Sequence, residues 1–171
     1  MNPTWDLFII IFFAVLVVFG IALGRERAIV GVIASYIGLI TANVWGNAAY
    51  NLIGGTSANI GDLSLTAGNS PFMIKAIIFA IIAILLIAKG DFLKKAVTYH
   101  TGMFSMMFSA IYSFLNAGLI VTALVSFLSD AQRTELLAQS ELTNTIIQYQ
   151  TWWLVLPVVL MIILGFKHVE E

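Results

Sequence analysis

Thr101–Leu128 reads TGMFSMMFSAIYSFLNAGLIVTALVSFL, and this stretch decides the fold. It runs 28 residues without a charge, beyond the roughly 20 apolar residues with which a helix crosses a bilayer. Its polarity is one-sided. Ser105, Ser109, Tyr112 and Asn116 follow at steps of four, three and four, which places them on one helical face with Gly102 and Ser113 beside it. Met103, Met107, Phe108, Phe114, Leu115, Val121 and Leu124 cover the other faces. A helix in lipid carries a polar line where it meets other protein, because hydrocarbon offers no hydrogen-bond partner. As one helix the stretch would be about 42 Å long against a hydrocarbon core of about 30 Å. A tilt or a bend is therefore expected, the bend near Asn116-Ala117-Gly118.

Four further runs share this character, so the chain reads as an all-α, polytopic transmembrane bundle of five spans. They lie near 5–23, 28–45, 71–88, 101–128 and 147–166, with long connections at 46–70 and 129–146. At 171 residues the chain is a single domain, with 60% hydrophobic and 10% charged residues. Soluble domains carry roughly 25% charged residues, and here the apolar surplus is gathered into span-length runs. The first run, Trp5–Leu23, lacks the basic start and short core of a cleaved signal and reads as a retained helix. Within it Gly20 begins a GxxxG spacing that ends at Gly24, the kind that lets two backbones approach. The second run has a small-residue face of Gly31, Ser35, Gly38 and Ala42, fit to pack on the first helix across the short Gly24-Arg25-Glu26-Arg27 link.

Residues 46–70 hold five glycines and many Asn, Ser and Thr, which makes them a loop, with a short interfacial turn at Ala48–Ile53. Pro71 suits the first turn of the third helix. Lys75, one turn inside, is expected to snorkel its ammonium to the headgroups, with an ion pair to Asp62 as the alternative. Ser129 and Gln132 have capping-box spacing, so a short interfacial helix should begin there. Tyr149, Trp152 and Trp153 read as an aromatic belt at the entry to the last span, which Pro157 is free to kink.

The charges fix an orientation. Arg25, Arg27, Lys89, Lys94, Lys95 and Lys167, six of the eight basic residues, fall on one side of a five-span layout. By the positive-inside rule that side is cytoplasmic, with the amino terminus outside and the carboxyl terminus inside. Arg25, Arg27, Lys89, Lys94 and Lys95 then form a basic fringe drawn to anionic lipid. The net charge of −1 gives no pull towards nucleic acid.

No residue set for chemistry is evident. There is no cysteine, the two histidines stand far apart, and the acids fall at span ends or in loops. No cofactor or metal is expected. The candidate functional residues are therefore Gly31, Ser35, Gly38, Ser105, Ser109, Tyr112 and Asn116. They serve either helix packing, within this chain, in a homo-oligomer or with other membrane proteins, or a narrow polar path along 105–116 of a small channel or transporter subunit.

Several segments taken together carry a family resemblance: Trp5-Asp6-Leu7, Gly24-Arg25-Glu26-Arg27 with the small-residue second helix, Asn116-Ala117-Gly118-Leu119-Ile120, and Ser140-Glu141-Leu142. Over about Trp5–Ile147 the chain resembles the colicin V production protein family. The resemblance implies a non-enzymatic protein of the bacterial inner membrane connected with toxin export or envelope maintenance, and it supplies no catalytic residues to transfer.

Overall fold

The computed structural model describes residues 3–53, 58–60, 63–65, 71–89 and 103–166, with side chains within 5–53, 71–89 and 106–163. Among these, seven helices follow in order: α1 Pro3–Leu23, α2 Arg25–Leu52, α3 Phe72–Lys89, α4 Met103–Phe127, α5 Asp130–Gln139, α6 Glu141–Gln148 and α7 Gln150–Phe166. A small antiparallel hairpin, β1 Ala58–Ile60 with β2 Leu63–Leu65, sets Ala58 opposite Leu65 between α2 and α3. The fold is otherwise all-α. Helices α1, α2, α3 and α4 are each long and apolar enough to cross a membrane, and α6 with α7 makes a fifth span if that bent pair is one. By length and composition this is a multi-pass membrane protein.

Helix α4 is the centre of the bundle. Two-thirds of its spanning window (67%) is buried inside the chain, against 6% for α3. It packs on α1, α2, α3, α6 and α7, while the most extensive single contact joins α2 to α3. Three apolar clusters hold these elements together. Ala42, Phe79, Ala123 and Phe127 join α2, α3 and α4. Ala28, Ile29, Val32 and Tyr112 join α2 to α4, with Leu160 and Met161 of α7 against them. Ile9, Val121, Val125, Ile146 and Ile147 join α1, α4 and α6.

Several boundaries differ from the sequence reading. The second span starts at Arg25 and ends at Leu52. Ala48–Ile53 therefore extends α2 as far as its cap, without a separate turn, because Asn-Ala-Ala-Tyr-Asn contains no helix breaker. The connection after α4 holds two short helices, α5 and α6, where one was expected. Ser129 caps α5 with the expected box, its hydroxyl accepting from the Gln132 amide while the Gln132 side chain accepts from the Ser129 amide. Ser140 then ends α5 and caps α6.

The break within a candidate span lies away from 116–118. Helix α4 runs unbroken for 25 residues through 116–118, whereas α6 and α7 meet at 58° around Tyr149. Pro157 lies eight residues beyond that break, buried inside a continuous α7.

Two glycines in the first turn region do different work. Gly24 has φ 84°, in the left-handed region that glycine adopts without a Cβ penalty, so one residue suffices to separate α1 from α2. Gly20 is a point of closest approach between helices, described below. They do not form one GxxxG face.

Candidate functional site

The polar line of α4 faces protein. Ser109 is fully buried, and its hydroxyl donates to the Gly20 carbonyl oxygen of α1. A Cβ on Gly20 would lie 1.6 Å from Ser113 Oγ and 2.5 Å from Ser113 Cβ, so the two helices meet backbone to side chain here. Such interhelical hydrogen bonds contribute on average about 0.6 kcal/mol, and the close approach adds dispersion contacts along the seam.

Tyr112, one turn towards the middle, is fully buried in the α2 cluster beside Ala28, Ile29 and Val32. Its hydroxyl has no protein partner. Arg25 lies at the same end, its guanidinium 5.5 Å from the centre of the Phe108 ring, a cation–π distance. Its Nε is buried without a partner. The Asn116 amide nitrogen sits 3.4 Å from where a Cβ on Gly31 would stand, and its Oδ1 is also buried and unpartnered. The seam thus brings Gly31 and Asn116 together and sets Tyr112 against α2.

The small-residue face of α2 does not pack on α1 as expected. Gly31 faces α4, and a Cβ on Gly38 would be 3.1 Å from Phe79 Cδ2 and 3.2 Å from the Phe79 carbonyl oxygen of α3. Ser35 is buried between these two positions. The single-residue link at Gly24 makes α1 and α2 neighbours, yet α4 takes the inner position and receives the small face. Gly46 continues the row: its missing Cβ leaves room for the Lys75 stem, with Cγ 2.3 Å from that point. Lys75 therefore lies along α2. Asp62, its alternative partner, is outside the described residues.

Of the expected basic fringe, Arg27 and Lys89 are exposed and Arg25 is half-buried against Phe108. Lys94 and Lys95 lie outside the described residues, as does the side chain of Ser105.

Trp153 departs from the aromatic belt. Tyr149 and Trp152 are exposed, but Trp153 turns inward onto Gly118, where a Cβ would stand 2.1 Å from its ring. Phe13 and Phe114 flank it at 6.0 and 5.5 Å between ring centres. The hole above Gly118 is what draws it in. Nearby, the Tyr36 hydroxyl donates to the Leu154 carbonyl, three residues before Pro157, which ties α7 to α2.

One polar junction was not apparent from the sequence. The Asp6 carboxylate of α1 accepts from the Ser140 hydroxyl at 2.6 Å and from the Leu142 amide at 3.3 Å. The Thr143 amide donates to Ser140 Oγ at 3.0 Å. A carboxylate at the first turn of α6 answers the unpaired amides and the positive end of the helix dipole. Ser140-Glu141-Leu142-Thr143 reads locally as a cap, but nothing local names a residue 134 positions earlier.

Among the described residues, no three His, Asp or Glu side chains come together to hold a metal ion. Compared with known families, curated proteins and solved structures, the chain matches none.

Proposed function

We propose that the chain is a non-enzymatic protein of the bacterial inner membrane that works through helix association, in the manner its resemblance to colicin V production proteins implies: toxin export or envelope maintenance. The observation that supports this reading is the seam itself. Ser109 is spent on the Gly20 carbonyl, Ser113 fills the space over Gly20, and Asn116 abuts Gly31. These contacts occupy the face that a transported solute would need. In this reading the basic end, with Arg25, Arg27 and Lys89, is cytoplasmic and faces anionic lipid, and the amino terminus lies outside. The exposed faces of α1 and α3 meet lipid, a second copy or other membrane proteins.

A second reading is favoured by one specific feature: Tyr112 Oη and Asn116 Oδ1 are buried without partners, in a seam where water or a small polar solute could satisfy them. It makes the chain a small channel or transporter subunit. Reconstitution in liposomes separates the two. Association predicts co-purification of a partner or a second copy with no solute or ion flux. Flux that disappears in Asn116→Leu would overturn it.

A further inference from the structure

A cavity of about 410 Å³ lies at the end of the bundle opposite Arg25, within the size range of small-ligand sites. Its walls are apolar and come from the spans: Phe8 of α1, Phe72 of α3, and Val121 and Leu124 of α4. Its roof comes from one face of α5, where Gln132, Glu135 and Gln139 follow at helical spacing around the apolar Leu136. Helices α1 and α3 both border it without forming an extensively packed pair, so the cavity lies between two spans.

In a bilayer the adjacent solvent is hydrocarbon, and a lipid tail restores the dispersion contacts that a void forfeits. The charge of the roof selects the head. Helices α5 and α6 carry Asp130, Glu135 and Glu141 against Arg133 alone, an acidic local field that disfavours phosphate-only heads. Glu135 already accepts from the Gln139 amide at 3.2 Å, which holds its carboxylate at the roof with acceptor capacity left over.

We propose that this cavity seats one acyl chain of a lipid of the phosphatidylethanolamine class, its ammonium under Glu135 and its tail between α1 and α3. The site is independent of whether the α4 seam serves association or transport. Native mass spectrometry tests it on the full chain, released from vesicles holding equal phosphatidylethanolamine and phosphatidylglycerol. The expected result is one retained lipid per chain, with phosphatidylethanolamine favoured by about fivefold, the scale of one charge near a membrane surface. Leu124→Trp should empty the site, while Ile162→Trp, on the exposed face of α7, should not. Glu135→Lys should reverse the preference towards phosphatidylglycerol. Glu135 is exposed on α5, so this variant carries the test even if Leu124→Trp does not fold. Retained lipid that mirrors the bulk mixture, or a preference unchanged by Glu135→Lys, would overturn the proposal. So would a photo-crosslinker at Leu128 that captures residues 54–70 in place of lipid.

Discussion

Helices α1 and α4 run past each other from Gly20 beside Ser109 to Ile9 beside Val125, yet the two ends of this contact are built on opposite plans. At the Arg25 end they are zipped. Gly20 has no side chain, Ser113 fills the space it leaves, and Ser109 bonds the carbonyl beneath. At the other end Ile9 faces Val121 and Val125, and the short helix α6 lies against both, its Ile146 and Ile147 completing one apolar cluster. Asp6 anchors α6 there by its first turn. The difference teaches that residue size sets where two membrane helices close, and that a wedge can be held only where a polar anchor supplies its loose amides.

The largest expected effect breaks the zip. Gly20→Leu should abolish stable folding, seen as loss of monodisperse protein in mild detergent, because no side-chain rotation clears Ser113 Cβ. Gly20→Ala should cost about 1–3 kcal/mol, the ordinary cost of overpacking. Ser113→Gly in the same chain should recover most of it, since the next atom, the Ser109 carbonyl oxygen, is 3.7 Å from the new methyl. Failure of that rescue in denaturant unfolding would mean that Gly20 is required for something other than Ser113.

Breaking the wedge should cost less. Asp6→Ala removes two hydrogen bonds, leaves the buried Ser140 hydroxyl to Thr143 alone, and frees the Leu142 amide in the first turn of α6, whose Ser140 cap stays in place. A loss of about 1–3 kcal/mol is expected, as for bonds to a charged group. The measured signature should be local: faster hydrogen exchange of 141–148, with α2 and α3 amides unchanged. Ser129→Ala, which removes one half of the α5 capping box on an exposed turn, should cost about 1 kcal/mol and free α5 only.

The two ends also differ in how far the sequence disclosed them. The polar line of α4 was legible because Ser109, Tyr112 and Asn116 share a face at helical spacing, and a polar face in lipid has to meet protein. The capping box at Ser129 was legible for the same reason: its partners are three residues apart. What Gly31, Ser35 and Gly38 would touch was not legible. A small-residue stripe says that something comes close without saying which helix, and here α4 and α3 took the place expected of α1. Trp153 likewise fits an interfacial belt until Gly118, 35 positions away, provides the hole that turns it inward. The Asp6–Ser140 anchor and the cavity beneath α5 depend wholly on tertiary placement.

The smallest effect is the most discriminating for the zip. Ser109→Ala deletes the hydrogen bond to Gly20, yet the Gly20 carbonyl also accepts from the Gly24 amide at 3.0 Å. The substitution therefore leaves no buried acceptor unsatisfied, and the alanine methyl keeps most of the serine volume. The expected loss is about 0.6 kcal/mol or less, near the average for a hydrogen bond between membrane helices. A loss several times larger would mean that the hydrogen bond, and not the close fit of Ser113 over Gly20, holds α1 to α4. The ordering Gly20→Leu, Asp6→Ala, Ser109→Ala is thus a ranking of mechanisms: overlap of atoms first, a lost tertiary anchor second, a single spare hydrogen bond last.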